Sequence, residues 1–341
     1  MARVAINGFG RIGRTFLRSA FGNSAIEVVA INDLGSLENL AYLLKYDSVY
    51  GRAPFSVEVK GETLLVDGKE IAFVQEKDPE QLPWSEMNVD IVVESTGFFT
   101  KFADSKKHLT AGAKRVVISA PSKDDPTDAG VNGATILVGV NDDKLATCDI
   151  SSNGSCTTNA TSPLVAILKE TIGVDKAILN TVHAYTSTQA LVDGPAKKDL
   201  RKGRAAALNI IPTTTGAAVA TTKVHTELDG KFDGMAMRVP VPVGSIVDVT
   251  FVASRDTTVE EVNEVLQKAA VDPRWAGIFA ATDEPVVSSD IIGSRVGSIA
   301  DLSFTRVVGG NLVKVLAWYD NETSYTQTLV EHVVRAAAQT K

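Results

Sequence analysis

Hydrophobic and polar positions along this chain fall into two regimes. Up to about residue 150, short apolar runs alternate with helical patterns. Arg3 to Ile6 runs directly into Asn7-Gly8, and Arg11 to Phe21 repeats apolar residues at helical spacing through Ile12, Phe16, Leu17 and Ala20. Further strands are expected at Glu27–Asn32, Val89–Glu94, Arg115–Ser119 and Thr135–Val140. Continuous apolar strands interleaved with helices predict a parallel sheet buried on both faces. The stretch from Val57 to Val74, with turn signals at Gly61 and Asp67-Gly68, predicts small antiparallel ribbons inserted into that sheet.

Beyond residue 150 the pattern changes. After a helix near Thr157–Ile172, strands are expected at Ala177–Tyr185, Met235–Val241, Ile246–Ala253, Ser298–Val308 and Leu312–Tyr319. Fewer helices separate them, which predicts an α+β domain with a largely antiparallel sheet. Thr258 followed by Glu261 has the form of a capping box ahead of Val262, Val265 and Leu266. A last helix is expected from about Thr323 to Ala338. The domain boundary should fall between Ile150 and Cys156. The organisation is then an α/β Rossmann-type domain over 1–155 and a catalytic domain over 156–322, with 323–341 packing back on the first.

Composition narrows the functions available. The 341 residues are 44% hydrophobic and 22% charged, enough apolar material for a large core and for two domains. A net charge of −7 argues against a general nucleic-acid binder or a polybasic membrane-surface protein. Met1 to Gly13 reads as strand and turn. The uncharged stretch Ala205–Thr222 carries Asn209, Pro212 and several threonines, so no membrane span is expected. The expectation is a cytoplasmic protein. Two cysteines exclude a disulfide scaffold, and the four histidines show no metal-ligand spacing.

Two constellations carry chemistry. Gly8-Phe9-Gly10-Arg11-Ile12-Gly13 is G-x-G-x-x-G between a strand and a helix, and Asp33 follows at the end of the second strand. In that setting the glycines admit a pyrophosphate to a helix N-terminus, while the carboxylate accepts from ribose hydroxyls and repels a 2′-phosphate, favouring NAD over NADP. The second is Ser151 to Asn159, which puts Cys156 at a helix N-terminus, where backbone N–H groups favour a thiolate. Of the histidines, His108 and His332 fall in amphipathic stretches and are expected at the surface, and His225 lies in an irregular region. His183 ends an apolar strand before a polar loop and is the candidate base. Cys148 reads as a small buried filler. Arg238 is a lone cation in an apolar strand, suited to an anion or to a buried ion pair.

Five segments, VAINGFGRIG from Val4, AIND through LLKYD up to Asp47, SSNGSCTTN from Ser151, NIIPTTTGAA from Asn209 with MAMRVPVP from Met235, and WYDNE from Trp318, resemble the NAD-dependent phosphorylating glyceraldehyde-3-phosphate dehydrogenase family, end to end. The resemblance implies that Cys156 attacks the aldehyde of glyceraldehyde 3-phosphate with His183 as base. Hydride then passes to NAD, and inorganic phosphate attacks the resulting thioester. It implies Thr186, Thr188 and Arg238 at the substrate phosphate, and Ser155, Thr157, Thr215 and Gly216 at inorganic phosphate, with Arg204 as a helper. Arg11 and Ile12 fall at the pyrophosphate, Lys77 near the adenine, Thr96 and Ser119 at strand ends, Asn321 at the nicotinamide carboxamide and Tyr325 near the ring. It also implies a homotetramer, with the loop from about Tyr185 to Arg204 near an interface. Erythrose-4-phosphate dehydrogenase shares the Cys, His and cofactor motifs, but T-T-G-A-A at Thr214–Ala218 favours the phosphorylating enzyme. A non-enzymatic binding role gains no support from the acidic charge. The chain departs from the family at Ala160, where a second cysteine is common, so oxidised Cys156 has no local resolving thiol. It departs also at Val219, at Thr323-Ser324 and in the loop 124–129.

Overall fold

The computed structural model describes residues 1–196 and 199–340. Lys197 and Lys198, in the loop expected near an interface, and Lys341, in the expected C-terminal segment, lie outside the described residues. The chain divides into two compact units, Met1–Gly154 with Leu329–Lys341, and Ser155–Thr328.

The first unit runs β1 (Ala2–Asn7), α1 (Arg11–Ala20), β2 (Ile26–Asn32), α2 (Leu37–Lys45), a minimal hairpin of β3 (Tyr46–Asp47) and β4 (Gly51–Arg52), then β5 (Val57–Lys60), β6 (Thr63–Val66), β7 (Lys69–Val74), β8 (Ile91–Glu94), α3 (Phe102–Thr110), β9 (Arg115–Ile118), β10 (Gly133–Thr135) and β11 (Ile150–Ser152). The sheet order is β10-β11-β9-β8-β1-β2-β7-β6-β5. From β10 to β7 every pairing is parallel, and β6 and β5 continue antiparallel. Val4, Ala5, Ile6, Ile91, Val92 and Val93 are wholly buried, as strands covered on both faces must be. Strand order reverses at β1, whose neighbours are β2 and β8, so a crevice opens beyond their C-terminal ends.

Three expectations need correction here. The ribbons extend the edge of the sheet and are not inserted within it, because β7 pairs only at Ala30–Asn32 of β2. The strand expected at Thr135–Val140 stops at Thr135. Gly139 turns through φ +80°, and the Asn141 side chain takes the Leu137 N–H and donates to the Thr135 carbonyl, replacing a strand partner. His108 and His332 are wholly buried, not at the surface. His108 accepts the Trp84 indole N–H and meets Glu94, while His332 in the final helix meets Ser151 and Asn153. The amphipathic pattern is real, but both rings lie on the packed side, where polar partners satisfy them.

The second unit begins with α4 (Cys156–Thr171) and continues through β12 (Lys176–Ala184), β13 (Ile211–Thr214), α5 (Ala217–Thr222), β14 (Phe232–Val239), β15 (Ser245–Val252), α6 (Val259–Ala270), β16 (Phe279–Thr282), β17 (Ser298–Val308) and β18 (Leu312–Tyr319). α7 (Thr323–Ala338) starts in this unit and ends in the first. The sheet order is β13-β14-β12-β15-β18-β17-β16. It is mostly antiparallel, with parallel pairings at β12/β14 and β16/β17. α4 lies against β15, β17 and β18. Thr258 does cap α6, accepting the Glu261 N–H at 3.2 Å, but only half of the capping box forms. The Glu261 carboxylate turns instead to Arg255 and Thr257, which pull its pKa down to about 2.

Burial holds the His332 pKa at about 3, well below its unfolded value. A depressed histidine contributes stability that is complete above about pH 6.5 and is lost as pH falls toward 3, at no more than about 1.4 kcal/mol per pH unit. His332→Gln should therefore lower the thermal midpoint at pH 7.5 and flatten its decline below pH 6.5. An unchanged slope would show that this ring does not titrate with unfolding.

Candidate active site

In the first unit the crevice is a cleft of about 880 Å3 lined by Gly8, Gly10, Asp33, Lys77, Thr96 and Phe98, among others. Its floor is built for close approach. Gly8 has φ +92°, and an added Cβ would stand 2.6 Å from the Thr96 nitrogen. A Cβ at Gly13 would stand 2.2 Å from the Gly8 carbonyl oxygen, so the third glycine lets α1 close onto the turn. Asp33 accepts the N–H of Phe9 at 2.7 Å and of Gly35 at 2.8 Å. A carboxylate has about four acceptor sites, so it retains capacity for ribose hydroxyls. These features fit a dinucleotide.

Not every expected cofactor residue faces that cleft. The Arg11 guanidinium pairs with Asp47 at 2.9 Å and stacks over Tyr50, so what Arg11 and Ile12 offer a pyrophosphate is first-turn backbone. Ser119 donates its N–H to the Glu94 carbonyl at the end of β9. The sequence reading missed the support beneath the cleft. Glu94 is buried and accepts from Asn7, His108 and Thr96. Asn7 in turn accepts from Asn32, whose side chain fixes the segment at Glu76. An N-D pair after an apolar strand marks only Asp33 as ligand-facing; that Asn32 works from behind requires the fold. Phe98, 84% exposed at the cleft, had no sequence signal at all.

In the second unit a thiol and an imidazole meet. Gly154, at φ +64°, turns the chain into α4, and Ser155 caps the helix by accepting the Thr158 N–H at 3.1 Å. Cys156 is then the first helical residue, partly exposed, with its Sγ 3.3 Å from His183 Nε2. β12 delivers His183 at its penultimate position, and the parallel register places Arg238 of β14 beside it. Arg238 Nη1 lies 2.8 Å from His183 Nδ1 and 2.9 Å from the Ala184 carbonyl. The Tyr319 ring stands edge-on to His183, and its hydroxyl bridges Thr157 and Thr181.

The electrostatics follow from burial. Desolvation pushes the Cys156 thiol up, against the pull of Arg238 and of hydrogen bonds from Thr157 and its own backbone. Burial, then the Arg238 charge, holds the His183 pKa down at about 3. The ring thus faces the thiol as its candidate base.

The expected anion ligands divide. Thr186 and Thr188 stand together, hydroxyl to hydroxyl at 2.9 Å. Thr215 accepts the Ala217 N–H where α5 begins, with Gly216 at its N-cap. The hydroxyls of Ser155 and Thr157 are already engaged, with Thr158 and Tyr319 respectively. Arg204 pairs through Nε with Asp193 at 2.9 Å, both side chains well exposed. The ion-pair alternative for Arg238 does not hold among the described residues. Its Nε is buried without a partner, and burial lowers its pKa. Asn321 accepts from the Gly244 N–H and the Ser245 hydroxyl, which leaves Nδ2 to offer, and Tyr325 is buried.

A switch-point cleft with a glycine turn, and a thiol–imidazole pair on an α+β unit, define a dinucleotide-linked dehydrogenase that works through a thiol. The family model for the glyceraldehyde 3-phosphate dehydrogenase NAD binding domain matches residues 2–102, and that for the C-terminal domain matches 155–321. The chain belongs to the glyceraldehyde-3-phosphate dehydrogenase family. It is similar to the glyceraldehyde-3-phosphate dehydrogenase of Geobacillus stearothermophilus, at 52% identity over 96% of both chains. Its identity to the Streptomyces coelicolor enzyme is 50% over 97% of both, and to glyceraldehyde-3-phosphate dehydrogenase 1 of Bacillus subtilis 48% over 96% of both. The chain is thus an NAD-dependent oxidoreductase, and these names do not favour the erythrose 4-phosphate alternative.

Gly8→Ala should weaken NAD binding about tenfold or more, since its Cβ has no room and its φ is disfavoured. Fluorescence titration with NADH checks this; unaltered affinity would place the dinucleotide elsewhere.

Proposed function

We propose that this enzyme oxidises glyceraldehyde 3-phosphate and phosphorylates the product to 1,3-bisphosphoglycerate. The observation that carries the reading is Cys156 Sγ 3.3 Å from His183 Nε2, with the unpaired cation Arg238 on the other side of the ring. His183 takes the thiol proton, and the sulphur attacks the aldehyde carbon. The first-turn N–H groups of α4 stabilise the hemithioacetal oxygen. NAD, bound by the glycine turn and Asp33, would supply the hydride acceptor. His183 returns that proton to the hemithioacetal oxygen and takes it back as hydride leaves, giving a thioester that keeps the oxidation energy for attack by inorganic phosphate, which expels the Cys156 thiolate for His183 to reprotonate.

Arg238 with Thr186 and Thr188 holds the substrate phosphate; Ser155, Thr157, Thr215 and Gly216 hold inorganic phosphate, Thr157 chiefly through its backbone. Residues 1–155 serve the cofactor and 156–322 the chemistry. The enzyme works in glycolysis and gluconeogenesis in the cytoplasm; among the described residues no helix is long and apolar enough to cross a membrane. It assembles as a homotetramer. Ile178, Met235 and Leu312 stand 58%, 41% and 43% exposed on the second sheet, an apolar face suited to cover by another copy.

NADH formation should require glyceraldehyde 3-phosphate, NAD and inorganic phosphate together. Cys156→Ser should abolish it, His183→Asn should lower kcat by about 10²–10⁴, and Arg238→Ala should raise KM for the aldehyde about tenfold or more. Sustained turnover without inorganic phosphate, or preference for erythrose 4-phosphate, would overturn this reading.

A further inference from the structure

We propose that His108 of α3 is a positioning residue for NAD: it holds both walls of the dinucleotide cleft through the buried carboxylate of Glu94, without reaching the cofactor itself. This rests on the reading of that cleft as the NAD site. The walls are the segments 76–78 and 95–99, which follow β7 and β8. Those strands lie on opposite sides of β1 and β2 in the sheet. Neither wall belongs to a ladder, so side chains must hold both.

One chain of hydrogen bonds joins them. Glu94 Oε1 accepts the Thr96 N–H at 2.9 Å and the Thr96 hydroxyl, which in turn accepts the Phe98 N–H at 3.1 Å. Glu94 Oε2 accepts from Asn7 Nδ2, and Asn7 Oδ1 accepts from Asn32 Nδ2 at 2.7 Å. The Asn32 amide then pairs with both the N–H and the carbonyl of Glu76. His108 supplies the fourth bond to the carboxylate. The Trp84 indole can only donate, and it reaches His108 Nδ1 at 3.0 Å, so the proton of the neutral ring sits on Nε2. Nε2 donates to Glu94 Oε2 at 3.1 Å. Glu94, Asn7 and His108 are all buried, and among the described residues no Lys or Arg pairs with this carboxylate. It therefore depends on each of its four donors.

The helix that carries His108 braces the same walls twice more. Ser105 donates to the Phe99 carbonyl at 2.9 Å, and Lys107 Nζ pairs with Asp78 at 2.8 Å. Asp124, in the loop where the chain departs from its family, accepts the N–H groups of Phe102 and Ala103 at 2.7 and 3.1 Å and so fixes where α3 begins. Of the three bracing side chains, His108 alone acts on both walls, because Glu94 leads to Thr96 on one side and through Asn7 to Glu76 on the other. Without it Glu94 is one donor short and shifts, and both walls shift with it. The loss falls on the cofactor's affinity and not on the thiol chemistry, since Cys156 and His183 belong to the second unit.

The test is fluorescence titration of the full-length enzyme with NADH, with steady-state kinetics on the same variants. His108→Leu should raise the NADH Kd and the KM for NAD about tenfold, the effect of losing one hydrogen bond to a charged group, and leave kcat at saturating NAD and the KM for the aldehyde within about twofold. His108→Gln, whose side-chain amide can still donate to Glu94, should restore most of the affinity. Glu94→Gln should cost as much as His108→Leu, and the double variant no more than either alone, because both break the same bond. Leu64→Ala, a core truncation in β6 away from the cleft, should lower the thermal midpoint and leave NADH affinity unchanged, which separates positioning from lost stability. Wild-type affinity in His108→Leu, no rescue by glutamine, additive losses in the double variant or an equal fall in kcat would each overturn the proposal. If His108→Leu does not fold, Glu94→Gln must show the tenfold loss, and wild-type affinity there would overturn it. Gly8→Ala separates the failures. Weakened binding there with none lost at His108 overturns the network alone, whereas no effect at either places NAD outside this cleft.

Discussion

The contact between Cys156 Sγ and His183 Nε2 is the constraint that the start of α4 and the end of β12 must satisfy together. A sulphur at the first position of a helix and an imidazole near the end of a strand must arrive within 3.3 Å, and each is fixed by its own element. Ser155 sets where α4 begins. The strand β12 is paired on both sides, with β14 and β15, so His183 cannot slide without breaking two ladders. Tyr319 ties the same region to the far end of β18 through Thr157 and Thr181. Rigid elements, not loops, hold the reacting atoms, which is what a nucleophile–base pair needs to stay within reach.

The parallel pairing of β12 with β14 has a chemical consequence. In that register Arg238 stands beside His183, and its charge acts on both members of the pair. It pulls the thiol toward ionisation and pushes the imidazole away from protonation. Burial opposes charge on either group. Charge that develops there is met by Arg238 and by the backbone N–H groups in the first turn of α4.

Much of this was legible in the sequence, for reasons that can be named. The strands Ser298–Val308 and Leu312–Tyr319 read to their ends because a glycine turn at Gly309-Gly310 separates two long alternating runs. Gly8 and Gly13 were legible because a close backbone approach leaves glycine no substitute, and Asp33 because it directly follows the second strand. Illegible features depend on partners distant in the chain. His108 looks like a surface residue until Glu94 and Trp84 are brought to it, and the pairing of Arg204 with Asp193 has no local signal. The strand ending at Thr135 fails through one side chain, Asn141, whose hydrogen bonds imitate backbone. Tyr319 lay within a recognised segment, yet its bridging role depends on Thr181, which nothing in the local pattern marks.

The central claim is that oxidation passes through an acyl group on Cys156 and that inorganic phosphate is what releases it. Intact-protein and peptide mass spectrometry after an acid quench tests this most directly, with NAD and glyceraldehyde 3-phosphate supplied and inorganic phosphate withheld. The account predicts a 3-phosphoglyceroyl adduct on the Cys156 peptide, absent from Cys148, which disappears when inorganic phosphate is added before the quench. No adduct at Cys156, or one that phosphate leaves in place, would contradict it.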